Sequence, residues 1–299
     1  IPYTYYKYYQ ALFSLMQTIL QAIANNCGLH FTRYQEVHGG DINKTYCLYT
    51  TQEKYFLKLN SSHSFPAMFQ QEADGLEALR NICSLVVPEV IKHGVVHDRQ
   101  WLLLQWIEKG TVNKNTMRQF GTALADMHQT PQPGFGWHSD NYIGSLQQVN
   151  KQYNNWFECY THNRIMPLVK TLFDKQIFSK QDADNAAAFC KHSTALFPEE
   201  PPALLHGDLW SGNYLINTDG MAVIFDPAVY CGHREMDLGM TKLFGGFSEQ
   251  FYDAYHDACP LENGWQKRLP LTQLYPLLVH AVLFGGHYVS GARDIMRKF

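Results

Sequence analysis

Three polar side chains, Asp208, Asn213 and Asp226, are spaced for work on a phosphoryl group. They lie in His206-Gly207-Asp208-Leu209-Trp210-Ser211-Gly212-Asn213 and, after a short interval, Ile224-Phe225-Asp226-Pro227. Phosphoryl transfer from a nucleoside triphosphate asks little covalent chemistry of a protein. It needs a carboxylate near the acceptor hydroxyl and oxygen ligands that hold magnesium across the phosphates. An Asp followed five residues later by an Asn puts both on one loop facing one ion, and a second Asp at the end of a nearby strand completes the set. Asp208 is then the expected proton acceptor, with Asn213 and Asp226 as magnesium ligands. A plain polar turn of Gly, Asp, Ser and Asn would account for the first run alone. The His-Gly before it and the β-Asp-Pro after it favour the chemical reading. His206 is expected to brace the loop by hydrogen bonds rather than to move a proton.

These groups need elements to position them. β-patterned runs at 31–37, 44–50 and 55–59 are joined by short turns and read as an antiparallel meander. A helical pattern over 65–81 follows, then strands at 89–96 and 101–106 around a polar turn. Beyond residue 110 the chain turns mostly helical, with patterns at 113–129, 181–196, 235–244, 248–258 and 271–290 and one β-like island, 214–216 with 223–225. A small antiparallel β-sheet lobe before a larger, mostly helical lobe predicts an α+β chain with a two-lobed protein-kinase-like fold.

That architecture carries its own test. A nucleotide-binding sheet of this kind needs a Lys on its third strand for the phosphates and a Glu on the next helix to fix it. Lys58 and Glu72 stand at those places. Taken singly, each reads as a solvated surface charge; their order relative to the Asp208 loop makes them a pair. Gly39 and Gly40, in the turn between the first two strands, would let backbone N–H groups approach phosphate oxygens. The turn is not G-x-G-x-x-G, and two glycines in a hairpin are weak evidence alone. No G-x-x-x-x-G-K-[ST] element is present, which excludes a Walker-type site. Gln105, Trp106, Ile107 and Glu108 form the expected hinge, whose backbone meets the adenine edge; Trp106 has the alternative of packing between the lobes. All five chemical side chains are expected to converge on one triphosphate.

The 299 residues are 45% hydrophobic and 17% charged with a net charge of -3, ordinary for a globular chain. No stretch concentrates Lys and Arg with interleaved aromatics, so no nucleic-acid partner is expected. The seven cysteines include no C-x-x-C pair and are odd in number, which predicts reduced, packed thiols in a cytoplasmic protein, read here as a monomer. The apolar run 11–24 is too short for a bilayer and is interrupted by polar Gln17 and Gln21, so no membrane association is expected. Ile1 is not a Met, and Met16 is a candidate initiator. The expected division is an N-terminal extension at 1–15, an ATP-binding lobe at 16–104, a hinge at 105–110 and a catalytic, substrate-binding lobe at 111–299.

The run 206–213, the stretch 224–240, the segment 283–286, residues 140–145 and the Trp156…Arg164 stretch together resemble the fructosamine kinase (ketosamine-3-kinase) family. The resemblance runs from Met16 to the C-terminus. His-Gly-Asp with the later Asn is shared with aminoglycoside phosphotransferases and choline kinases; the Trp-Ser-Gly insert with D-P-A-x-x-x-G-x-R-E-x-D-L is narrower. The resemblance implies ATP and Mg2+ as cofactors and phosphorylation of a ketosamine, a fructosamine or ribulosamine, free or protein-linked, typically at the 3-hydroxyl. The adduct then breaks down and frees the amine, a repair of glycated protein. Carried over by residue, it implies Asp208 as base, Asn213 and Asp226 as metal ligands, Lys58 and Glu72 as the phosphate anchor and 105–108 as the adenine hinge. Some members carry a Cys in the glycine-rich turn; 38–43 contain none, so no disulfide switch is expected there. Asp237 matches a family position and reads as a helix cap or a brace for the catalytic loop. Trp210 has two readings, stacking on the sugar or its amine substituent, or packing under the loop. Phe-Gly-Gly at 244–246 and 284–286 reads as helix ends or close helix approach. The rivals are another small-molecule kinase, acting on an aminoglycoside, choline or a thiosugar, and a silent ATP-binding regulator, against which the five chemical residues argue.

Overall fold

The computed structural model describes residues 16–37, 42–82, 84–193 and 196–299, and the chain divides into two compact units. The first runs to Ala73 and resumes over Pro88–Ile107; the second comprises Asp74–Val87 and Glu108–Phe299.

In the first unit, helix α1 (16–26) precedes strands β1 (Phe31–Glu36), β2 (Lys44–Thr50) and β3 (Lys54–Ser61). After the start of helix α2 (Met68–Ile82) come β4 (Val90–Val96) and β5 (Arg99–Gln105). All pairings are antiparallel in the order β1-β2-β3-β5-β4, so the β4–β5 hairpin lays β5 beside β3. Period-two alternation divides β3 between two faces. Tyr55, Leu57 and Leu59 pack with Ile19, Leu20 and Ile23 of α1, which fall on one helix face. Phe56, Lys58 and Asn60 therefore take the opposite face. There Gln100 ties the entry to α2: its Oε1 accepts the Phe69 N–H at 3.4 Å, and its Nε2 donates to the Ser61 carbonyl at 3.4 Å and to that of Phe65. One turn after Phe69 comes Glu72.

The second unit is helical with three small β ladders. Helix α3 (Lys114–Gln129) starts on a capping box in which Asn113 Oδ1 accepts the N–H groups of Asn115 and Thr116. Hairpin β6 (Asn141–Ile143) and β7 (Leu146–Gln148) leads to α4 (Trp156–Cys159), a π-helical turn over Tyr160–Ile165, α5 (Met166–Asp174) and α6 (Lys180–Ser193). Strands β8 (Ala203–Leu205), β9 (Tyr214–Ile216), β10 (Ala222–Ile224) and β11 (Tyr230–Gly232) come next. Helices α7 (Glu235–Phe244), α8 (Glu249–Ala258), α9 (Trp265–Phe284) and α10 (His287–Lys298) close the chain. Helices α3 and α8 pack to backbone contact at Gly121, where a Cβ would lie 2.1 Å from the Phe251 carbonyl oxygen.

The single expected β island, 214–216 with 223–225, is the β9–β10 ladder, one of three among the described residues, all of three-residue strands too short to display a period. The helix expected over 271–290 is two, separated at Gly285 and Gly286, so the Phe-Gly-Gly runs mark helix ends. Its first half begins earlier, at Trp265, and tolerates Pro270 and Pro276 inside because Leu271, Leu274 and Leu278 are fully buried in the unit's core. Among the described residues no helix is long and apolar enough to cross a membrane.

Candidate active site

The topology of β8–β11 explains how distant residues meet. β8 pairs with β11 and β9 with β10, so the loop 206–213, joining β8 to β9, runs beside the segment 225–229, joining β10 to β11. Backbone bonds rivet the two together: Phe225 N donates to Asn213 O at 3.1 Å, and Ala228 N to His206 O at 2.9 Å. Gly207 permits this approach. Its φ is 81°, and a Cβ there would lie 2.1 Å from the Ala228 carbonyl oxygen.

Asp208, Asn213 and Asp226 come together across this double loop. Asn213 Nδ2 donates to the Asp208 main-chain oxygen and to Asp208 Oδ2, both at 2.9 Å, and to Asp226 O at 3.5 Å. The amide nitrogen is thereby committed, and the amide oxygen is the atom left for a cation. Asp226 holds φ at 55°, a left-handed conformation that costs a non-glycine residue on the order of 1 kcal/mol and clusters at functional sites. Among the described residues no group of three or more His, Cys, Asp or Glu is placed to hold a metal. Magnesium asks for less: one or two hard oxygen ligands from the protein, with waters and substrate phosphates supplying the rest. An amide oxygen and a carboxylate on adjoining loops fit it.

Two acids of this site are driven in opposite directions. Burial pushes the Asp208 carboxyl up to about 7; the Asn213 amide opposes this, and the charges of Asp226 and Asp237 add to it. A carboxyl poised near neutrality is matched to taking a proton from a hydroxyl. Burial also acts to raise Asp237, but the hydrogen bond from His128, the electrostatic pull of the His128 and His206 rings and the Gly207 N–H together hold it below the ordinary range. Asp237 is 1% exposed, and it braces the loop from beneath: Oδ2 accepts the His206 N–H at 2.8 Å and Oδ1 that of Gly207 at 2.9 Å. His128 Nε2 donates to Oδ2 at 3.2 Å, and because a carboxylate only accepts, His128 Nδ1 is left to accept from the Tyr255 hydroxyl at 2.8 Å. Asp237 is therefore a loop brace rather than a helix cap. His206 is a brace too: Nε2 donates to Phe225 O at 2.9 Å and Nδ1 accepts the Asp208 N–H at 3.3 Å.

In the first unit Lys58 Nζ donates to both carboxylate oxygens of Glu72, at 2.7 and 2.8 Å, over the ring of Phe69. The Lys58 side chain is 3% exposed and that of Glu72 10%. Gln105 ends β5, with its N–H donating to Glu89 O at 2.9 Å, and the two units divide between Ile107 and Glu108. Trp106 lies beside Phe56, ring centroids 6.4 Å apart, and below the ammonium of Lys54. Gly39 and Gly40 lie outside the described residues.

Trp210 is 38% exposed. Its ring covers Gly212, where a Cβ would come within 2.3 Å of it, and meets Phe244 edge-on at 6.2 Å. It thus packs on its own loop and keeps part of its surface open. Beside Asp208 a pocket is lined by Ile143, Tyr230, Met236, Tyr275, Val279 and His280. Ile143, Tyr230 and Met236 fall in stretches that carry the family resemblance, whereas Tyr275, Val279 and His280 carry no motif signal; the six come from β6, β11, α7 and α9.

The family described as "Fructosamine kinase" matches this chain over residues 15–299. A Synechocystis protein named "Probable ketoamine kinase" is 41% identical over 287 residues, covering 94% of this chain and 96% of that one. The "Protein-ribulosamine 3-kinase, chloroplastic" of Oryza sativa subsp. indica is 35% identical over 277 residues, 90% of this chain and 79% of its own. Among solved structures, a provisionally named fructosamine-3-kinase of Thermobifida fusca YX-ER1 superposes with a TM-score of 0.84 at 32% identity, covering 93% of this chain and 96% of that one. A thermostable mutant of the aminoglycoside phosphotransferase APH(4)-Ia, in ternary complex with ADP and hygromycin B, shares the fold: TM-score 0.62, 16% identity, 93% and 97% covered.

Proposed function

Since the chain belongs to the fructosamine kinase family, we propose that it transfers the γ-phosphoryl group of ATP to the 3-hydroxyl of a ketosamine, a ribulosamine or fructosamine, free or on a protein. The observation that carries this reading is the Asn213 amide bonded to Asp208 on a loop riveted to that of Asp226. Asp208, with its carboxyl near 7, orients the acceptor hydroxyl and takes its proton. Lys58, fixed by Glu72, positions the α/β-phosphates. The Asn213 amide oxygen and Asp226 would hold magnesium, which would supply neutralisation of the phosphate charge. The backbone of Gln105–Glu108 receives adenine, the backbone N–H groups of Gly39 and Gly40 serve the phosphates, and the open face of Trp210 stacks on the sugar or its amine substituent. Free thiols at all six described cysteines fit a reducing, cytoplasmic setting.

Phosphate transfer from ATP with Mg2+ to a ribulosamine, a fructosamine, choline and kanamycin, followed in parallel by ADP release and 31P NMR, tests the reading. A sugar 3-phosphate is expected from a ketosamine. Turnover of choline or kanamycin alone overturns it.

A further inference from the structure

Arg164 takes no part in the chemistry above, and its surroundings ask for a reason. Its side chain is fully buried, yet its hydrogen bonds go to neutral oxygens: Val149 O at 2.5 Å, Asn150 Oδ1 at 2.6 Å and Asn163 O at 3.4 Å. Its Nε has no partner among the described residues. Burying a cation without a carboxylate is expensive and is rarely kept for stability alone. The backbone also departs from α-geometry to carry it: Arg164 lies in the π-helical turn Tyr160–Ile165, and such turns occur frequently at functional sites.

Its contacts lead to one place. The guanidinium lies 3.8 Å from the ring centre of Tyr230 and 5.4 Å from that of Tyr275, and both rings line the pocket beside Asp208. Through Asn150 it reaches Asn141, whose Oδ1 accepts from Asn150 Nδ2 at 2.9 Å and whose Nδ2 donates to Val229 O at 2.8 Å. Tyr275 reaches the same strand entry: its hydroxyl donates to Gln148 Oε1 at 2.6 Å, and Gln148 Nε2 donates to Ala228 O at 3.0 Å. Residues 228 and 229 follow directly on Asp226-Pro227, and Ala228 O is the atom that abuts Gly207. The pocket wall and the catalytic double loop therefore hang on one buried polar knot with Arg164 at its end.

We propose that Arg164 is a positioning residue for the acceptor: it sets the Tyr230 and Tyr275 walls against Asp208, and so governs affinity for the sugar substrate and not for ATP. This rests on reading the Asp208 pocket, whose free volume of about 20 Å³ admits a water-sized group, as the inner end of the acceptor site. Lysine keeps the charge but loses the planar fork that stacks on Tyr230 and spans two oxygens.

The test is steady-state kinetics of Arg164→Lys and Tyr275→Phe with whichever acceptor the wild-type protein phosphorylates in the panel above. Failure of the ketosamine reading then appears in the wild-type protein, and failure of this proposal only in the variants. Arg164→Lys is expected to raise the acceptor KM about tenfold while the ATP KM moves less than about twofold. Tyr275→Phe, which keeps the ring and loses one hydrogen bond, is expected to raise the acceptor KM about threefold. Equal rises in both KM values, or a lowered melting temperature with both KM values unchanged, overturn the proposal. Should Arg164→Lys fail to fold, the Tyr275→Phe ratio decides by the same criterion.

Discussion

Two carboxylates, Glu72 of the first unit and Asp237 of the second, are held by different means. In the first, the ammonium of Lys58 bonds both carboxylate oxygens of Glu72 above Phe69. In the second, Asp237 accepts from the backbone of the catalytic loop and from His128, which is itself fixed by Tyr255. A pair is an all-or-nothing device, lost whole when either member goes. A braced carboxylate spreads its load over several elements, so losing one bond should loosen the loop without abolishing it.

The sharpest way to break this contrast is at the pair. Glu72→Ala leaves an ammonium buried without its carboxylate, at an expected cost of about 3–5 kcal/mol in urea unfolding. The double variant Lys58→Met/Glu72→Leu should recover most of that stability, because no charge is stranded, while kcat/KM for ATP stays low. A double variant as unstable as Glu72→Ala would mean that the stranded ammonium is not what destabilises Glu72→Ala.

A smaller loss is expected at the brace. Asp237→Asn keeps the shape but replaces a charged acceptor of three hydrogen bonds with a neutral one, for a loss of about 2 kcal/mol. Here kcat should fall by about tenfold while the ATP KM holds. Unfolding data that show no destabilisation would remove Asp237 from its bracing role.

The smallest effect is confined to acid. Burial holds His233 down to about 4, against attraction from Glu200, so the folded protein keeps it neutral where the unfolded chain protonates it near the usual value of about 6.5. Between those values the unfolded state binds more protons, so stability rises with pH and is lost as pH falls from about 6.5 toward 4. His233→Gln should flatten melting temperature against pH in that window. Glu200, held low by Arg234 despite its burial, loses its own contribution only as pH falls below the ordinary carboxylate range. His206 and His280 are also held down and Asp208 up, so the His233 share is the difference between wild-type and variant slopes. An unchanged slope would contradict the assignment.

What could be read in advance follows the same contrast. Asp208 and Asn213 are legible because five residues of one loop cannot separate them far, and Lys58 with Glu72 because strand and helix order is itself a pattern. The five-stranded sheet was visible for the same reason, its strands being long enough to alternate. His206 and Asp237 are legible as braces from their motif positions, but the side-chain partners of Asp237 are not. His128 lies 109 residues from Asp237 and 127 from Tyr255, so only the fold makes them neighbours. Arg164 looked like one family residue among others, since nothing in its sequence context signals a π-helical turn or burial beside Tyr230. Pro270 and Pro276 argued locally against the helix that contains them, and apolar burial in the core outweighed that local preference.

Comparing the Asp208→Asn protein with wild type, by single-turnover phosphate transfer from ATP to a ketosamine, reaches the central claim most directly. The account predicts a folded variant that still binds the nucleotide and transfers phosphate about 1,000-fold more slowly, since no group remains to accept the hydroxyl proton. A variant rate within about tenfold of wild type would show that the proton goes elsewhere.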